Sequence, residues 1–165
     1  MPEKHKRHFL KAKEAKSLLD TASEKLKVNL EQNFKAKINV ELVETEFADI
    51  LLINGKPLLA KAEEKVFPTL IFNEFFASAP KIVVDMGAIP YVCNGANVMA
   101  PGIVRFEGEF RKGDYVFIVD ENHGKPIAVG EILYDMNEAK KVTQGTVIRN
   151  IHFVGDKIWN LIKNL

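Results

Sequence analysis

A single cysteine, Cys93, excludes an internal disulfide framework and any metal site built from several thiolates. Long apolar runs are missing: none approaches the roughly 18 residues that cross a bilayer. No signal-peptide segment follows the basic N-terminus, which predicts a cytoplasmic protein with no membrane partner. Neither charge dominates, since 23 Lys/Arg against 22 Asp/Glu leave a net charge of +1. Bulk charge therefore announces no nucleic-acid partner. The G-x-G-x-x-G fingerprint of dinucleotide sites and the G-K-[ST] of phosphate loops are both absent, and so are internal repeats and low-complexity tracts. No cofactor is implied.

What is present fits a folded chain. Of 165 residues, 47% are hydrophobic and 27% charged, enough for one ordinary domain or two small ones. The charge is unevenly spread: residues 1–37 carry ten Lys/Arg against five Asp/Glu, 38–79 three against seven, and 80–165 ten against ten. The densest basic part is His5-Lys6-Arg7-His8. Such a segment can neutralise phosphates or form a solvated helix face.

Periodicity divides the chain into two characters. Residues 11–34 read as one helix, with Leu18, Ala22, Leu26 and Leu30 at four-residue steps and Leu19 beside them. Residues 37–43 alternate as a strand. Asn54-Gly55 between two apolar runs marks a hairpin, because both residues tolerate the positive φ of a type I′ turn. Pro57 then belongs at a strand start or edge. Pro68 opens a second helix over 69–76, with Leu70, Phe72, Phe75 and Phe76 as its apolar surface. The break at Ser78-Ala79-Pro80 predicts a boundary between domains 1–79 and 80–165. Beyond it, strands are expected at 81–84, 115–119, 127–133 and 146–154, with turns at Gly113-Asp114 and Asn122-His123-Gly124. Gly130 inside a strand signals a bulge or close approach. A short helix over 135–142 and a helical tail from Ile158 to Leu165 complete an α+β chain whose second part is a small barrel or sandwich.

The densest motif runs from Asp85 to Gly102, where Gly87, Gly95 and Gly102 surround a short apolar helical segment. Glycines so placed admit close approach of another backbone, either a nucleic-acid chain or the protein's own helix-to-strand corner. Spacing alone weighs the two equally. Asp85 is expected to cap the following turn. Arg105, and Arg149 with His152 in the last strand, add donors suited to phosphates and base edges. Tyr91 and Phe153 offer stacking faces or core packing. His5 and His8 have helical metal-ligand spacing but no partners. Cys93 with His123 or His152 has no local nucleophile motif, and a buried thiol is the reading favoured. The chain is expected not to be an enzyme.

Three segments carry a family resemblance. G-A-x-x-x-V-x-x-G-A-N-V-M-A-P-G-I (from Gly87 to Ile103), V-G-E-I (from Val129) and N-I-H-F-V-G-D-x-x-W (from Asn150 to Trp159) resemble a PUA domain. The likeness is to the MCTS (malignant T-cell amplified sequence) family and its archaeal relatives. The segments from Ile53 to Leu59 and from Phe67 to Leu70 resemble that family's pre-PUA domain. The resemblance implies a small α+β pre-PUA domain followed by a mainly-β PUA pseudo-barrel. It implies binding of structured RNA, rRNA or tRNA, and action in translation at the small ribosomal subunit. Carried over by position, the RNA surface comprises Gly87, Ala88, Gly95, Ala96, Asn97, Met99, Arg105, Arg149 and His152. Eukaryotic members pair with a SUI1-domain protein; the basic N-terminus and the lack of a fused SUI1-like segment here match a stand-alone archaeal form. Two further readings stand beside this one: an accessory of an RNA-modification enzyme, and an adaptor docking through the Phe-rich stretch 67–76.

Overall fold

The computed structural model describes residues 5–34 and 37–165. The packing divides the chain into two units, one running to Phe72 and including Ile162–Leu165, the other Asn73–Leu161.

In the first unit the chain runs β1 (Lys6–Phe9), α1 (Ala12–Leu26), α2 (Leu30–Asn33), β2 (Val40–Glu44), β3 (Asp49–Ile53), β4 (Lys56–Ala62) and β5 (Lys65–Pro68). The strands form an antiparallel sheet in the order β1-β2-β3-β4-β5. α1 buries Ala15, Leu19, Ala22 and Leu26, the four-three-four spacing of one helical face. Leu18, expected on that stripe, is only half-buried.

The helix expected to reach residue 34 stops at Leu26. Lys27 turns left-handed at φ 59°, and Ser23 takes two later donors: its carbonyl accepts from the Val28 N–H (3.1 Å) and its hydroxyl from the Leu30 N–H (3.1 Å). The Asn29 side chain then caps α2 through the Gln32 N–H (3.2 Å). Short polar side chains that bond the backbone locally compete with the helical ladder.

Asn54 and Gly55 adopt φ 51° and 85° and form the expected hairpin tip between β3 and β4. Pro57 faces Leu52 where that ladder shifts register, a position at which a missing N–H costs little. The helix expected from residue 69 is displaced. Pro68 ends a strand, and Thr69 is fixed beside β4 by its N–H on the Leu58 carbonyl (2.9 Å) and its hydroxyl on the Pro57 carbonyl (2.7 Å). Phe67, Leu70 and Phe72 are buried here, and Phe75 is buried in the second unit. That burial replaces the docking-patch reading of this stretch with core packing.

The second unit begins with α3 (Asn73–Ser78) and β6 (Lys81–Val84). It continues through α4 (Ile89–Val92), β7 (Val98–Met99), a 3₁₀ turn (Ala100–Gly102), β8 (Ile103–Glu107), β9 (Tyr115–Asp120), β10 (Pro126–Ile132), α5 (Met136–Ala139), β11 (Thr146–Phe153) and α6 (Lys157–Ile162). Its strand order is β7-β11-β10-β9-β6-β8, with β6 and β9 parallel and the other pairs antiparallel. The two outermost strands, β7 and β8, are consecutive in the chain. In a flat sheet they would lie about 24 Å apart at roughly 4.8 Å per strand, whereas the linking residues reach at most about 14 Å. The sheet must curl enough to bring these two end strands within that reach.

Ile82, Val84, Val116, Ile118, Ile132 and Ile148 fill the resulting half-barrel. Gly130 sits at a register shift between β10 and β11, as expected. A Cβ there would stand 2.3 Å from Ile148 Cγ2 and 2.9 Å from the Arg149 carbonyl oxygen, so the two strands touch at a distance only glycine allows. The helix expected over 135–142 is the four-residue α5.

Candidate nucleic-acid interface

The corner between β6 and β8 is built by its own side chains. Asp85 caps the turn into α4 as expected: its Oδ1 accepts from the Ala88 N–H at 2.9 Å. Pro90 falls within the first turn of α4, where its absent N–H leaves no bond unmade. Beyond the end of the helix, Gly95 turns the chain at φ 94°, which lets the following Ala96 N–H reach back to the Tyr91 carbonyl (3.0 Å), while the Gly95 N–H bonds the Val92 carbonyl (3.0 Å). A Cβ on Gly95 would lie 3.3 Å from the Phe153 ring, one on Gly87 3.3 Å from Asp85, and one on Gly102 3.2 Å from the Ala88 methyl. All three glycines thus accommodate close approach by the protein itself.

Asn150 ties this corner to β11. Its Nδ2 donates to the Val92 carbonyl (3.0 Å) and the Ala96 carbonyl (2.9 Å), and its backbone N–H donates to Asn97 Oδ1 (2.9 Å). The Thr146 hydroxyl donates to the Met99 sulfur at 3.3 Å, fixing β7 on the same strand. What remains outside is an apolar and small-residue surface. Met86, Tyr91, Met99 and Val104 are 43%, 70%, 48% and 46% exposed, and Gly87, Gly95, Ala96 and Asn97 are exposed among them. Four of the five large apolar side chains exposed among the described residues therefore lie between positions 86 and 104.

The two arginines expected to serve this surface are each paired with a carboxylate. Arg149 Nη2 lies 3.5 Å from Glu131 Oε1, with the arginine side chain 45% exposed and the glutamate 16%. Glu131 faces Arg149 on one side and Tyr115 on the other. Burial, reinforced by the Glu131 charge and opposed by Arg149, pushes the Tyr115 hydroxyl up to about 12. Arg105 is carried by β8, opposite Val83, and its Nε donates to Glu107 (3.3 Å) rather than toward the glycine corner.

Comparison with known proteins gives this geometry a family. The PUA domain family matches residues 80–154, and a family described as a domain of unknown function, DUF1947, matches 6–72. The chain is 32% identical over 132 residues to translation machinery-associated protein 20 of Saccharomyces cerevisiae, spanning 75% of this chain and 73% of that protein. It belongs to the malignant T-cell-amplified sequence and translation machinery-associated protein 20 family of PUA-domain proteins. It is also 42% identical over 159 residues to an uncharacterized protein of Methanocaldococcus jannaschii, spanning 94% and 96% of the two chains. A PUA-domain structure from Aeropyrum pernix superposes with a TM-score of 0.83 at 26% identity, over 97% of this chain and 92% of that one.

Within the PUA unit, the residues carried over by resemblance divide into two groups. The bonds through Asn150 and the contacts around Gly95 and Gly102 bring Gly87, Ala88, Gly95, Ala96, Asn97 and Met99 into one corner. Arg149 adjoins it as the chain neighbour of Asn150. His152 stands apart: it is completely buried, with Nδ1 2.9 Å from Asp156 Oδ2. Asp156 also accepts from the N–H groups of Phe153 (2.9 Å) and Trp159 (2.7 Å). Burial pushes its carboxyl up, but the bonds from His152 and those two N–H groups outweigh this and hold it below the usual carboxylate range. Strand alternation could not have revealed this, because the register shift between Val129 and Gly130 leaves an extra residue of β11 between Asn150 and His152 and interrupts the parity.

Phe153 packs against the core beneath Gly95, while Tyr91 is the stacking face that stays outside. The sequence reading missed the Asn150 clamp and the exposure of Met86. Burial raises the Cys93 thiol, away from the thiolate a nucleophile requires. His5 precedes and His8 lies within the strand β1, so the helical spacing suggested for them does not occur. Among the described residues no group of His, Cys, Asp and Glu gathers as a metal site, and no helix is long and apolar enough to cross a membrane.

Proposed function

We propose that this chain is a non-enzymatic RNA-binding protein that acts in translation at the small ribosomal subunit, through the PUA corner of α4, the Gly95 loop, β7 and Arg149. The observation that carries the proposal is the exposed cluster of Met86, Tyr91 and Met99 around Gly95, Ala96 and Asn97. A rigid corner with a free aromatic face and small neighbours suits an unstacked base and a sugar-phosphate chain. Its loop is fixed in advance by Asn150, so little ordering remains to oppose binding. The relationship to translation machinery-associated protein 20 supplies the cellular setting. A SUI1-domain protein is the cooperating factor under this proposal.

Co-sedimentation of the purified chain with small ribosomal subunits, run beside binding to free tRNA at two salt concentrations, tests it. Salt-sensitive co-sedimentation that weakens on Arg149→Ala is the expected result. Binding to tRNA alone would move the chain to tRNA handling, and binding to neither RNA would overturn the proposal.

A further inference from the structure

The first unit carries a cavity of about 420 Å³ between the start of α1 and the approach to β2, lined by Phe9, Leu10, Ala12, Lys37, Asn39 and Val40, among others. Phe9 is 67% exposed at its edge, the one large apolar side chain of this unit so exposed among the described residues. The walls are held open by main-chain bonds. The Leu10 N–H donates to the Val40 carbonyl at 2.9 Å, and the hairpin tip braces the far wall: Asn54 Oδ1 accepts from the Asn39 N–H (2.8 Å) while the Asn54 N–H donates to the Asn39 carbonyl (2.9 Å).

Lys37 is the cation in the lining of this cavity, and two more lie close in the chain, at the start of α1, whose Ala12 and Ala15 also line it. Lys11 occupies the N-cap position of α1 and offers no side-chain oxygen to its first-turn N–H groups, and Lys13 follows in that turn. Positive side chains beside the positive end of a helix dipole are mutually unfavourable; Glu14 in the same turn offsets part of this, and an anion placed among the lysines relieves the rest. Lys37 is exposed on the opposite wall, and the exposed Asn39 amide provides both a donor and an acceptor. Arg7 is held by Glu41 through two bonds of 2.9 and 3.0 Å and so serves the strand.

We infer that this cavity is a second RNA site, which takes one unstacked nucleotide of a single strand: its base lies on the Phe9 ring with its edge toward Asn39, and its phosphates lie among Lys11, Lys13 and Lys37. The inference rests on the RNA-binding reading above but concerns a separate surface. An exposed aromatic ring beside backbone-binding cations is the general means of holding single strands, and the cavity lies in the size range of small-ligand sites.

The test uses the full chain and an oligouridylate carrying 5-iodouridine. Photocrosslinks should map to the peptide containing Phe9. Phe9→Leu should weaken binding roughly tenfold with the salt slope unchanged, and Phe9→Tyr should restore it. Lys37→Ala should instead lower the salt slope by about 0.7, the value for one phosphate contact on a single strand. Phe9 is exposed, so these variants fold normally. If Arg149→Ala abolishes binding while Phe9→Leu changes nothing and crosslinks avoid the first unit, this site is overturned and the PUA reading stands. If Phe9→Leu weakens binding but Arg149→Ala does not, the reverse holds. A chain that binds no RNA overturns both.

Discussion

Asn150 places its two amide hydrogens on the carbonyls of Val92 and Ala96, residues more than fifty positions earlier in the chain. One side chain therefore closes the end of α4 and fixes the loop that follows. Asn150→Ala should remove the Asn150 donor from the Ala96 carbonyl and leave the Val92 carbonyl only the Gly95 N–H, at a cost of about 1–3 kcal/mol, seen as a lowered urea midpoint. Hydrogen exchange at Gly95 and Ala96 should quicken more than exchange in β9. Equal changes in the two places would show that the clamp is not local.

Gly130→Ala should be among the most damaging small substitutions in the PUA unit. Its methyl would meet Ile148 Cγ2 at 2.3 Å and the Arg149 carbonyl at 2.9 Å, and neither can withdraw without parting β10 from β11. Overpacking of this kind costs about 1–3 kcal/mol or more. Thermal denaturation of the variant checks this, with Gly124→Ala as the comparison, where no atom lies within 4 Å of the added carbon. The comparison is not free of strain, since Gly124 has φ 65°.

Tyr91→Ala separates binding from folding. The ring is 70% exposed, so stability should change by less than about 0.5 kcal/mol, while RNA affinity should fall by about 1–3 kcal/mol if a base stacks there. Gly95→Val is a poor probe of the same surface. Its φ of 94° and the Phe153 ring at 3.3 Å strain any side chain placed there, so loss of binding would not distinguish a blocked ligand from a distorted loop.

Asp156 sets an acid limit on stability. Its folded pKa lies below the unfolded one, so the native state binds fewer protons and the stabilisation is fully present above the ordinary carboxylate pKa. It should fade as pH falls from about 4 through the folded value. Urea unfolding at pH 5 and pH 3 should show a steeper loss for the wild type than for Asp156→Asn. Parallel losses would assign the acid sensitivity elsewhere.

Tyr115 sets the alkaline counterpart. A hydroxyl raised to about 12 in the folded state contributes stability that is whole below the ordinary tyrosine pKa and is lost as pH rises from about 10 toward 12. Ultraviolet titration should show one of the three tyrosines ionising late, and Tyr115→Phe should remove that component.

Local signals were the legible ones. Asn54-Gly55 specified its turn because both residues accept positive φ, and Gly130 announced a bulge because glycine in a strand has few other uses. The PUA motifs were legible because the corner they build uses residues close in sequence: Asp85 with Ala88, and Val92 with Gly95. The helix boundaries failed where a distant or unobvious acceptor decided the outcome. Thr69 was drawn out of helix by carbonyls of β4, and the 11–34 helix was broken by the oxygens of Ser23 and Asn29. His152 was misread as a surface donor because its partner, Asp156, lies past a turn whose direction no local pattern fixes. The candidate site was legible as a location, but its division into binding and supporting residues was not.

The curl of the PUA sheet has a consequence for how the unit behaves among its own copies. Sheet margins ordinarily present open rows of amides and carbonyls that invite a neighbouring chain to add a strand. Here the two marginal strands, β7 and β8, are stitched to each other by Ala100–Gly102, and one of them is only two residues long. The shortness of β7 and the three-residue tether to β8 limit how long a strand a neighbour could add at that margin. Met99 and Val104 stand exposed at these two margins, on strands too short or too tightly tethered to offer a neighbour a long open edge.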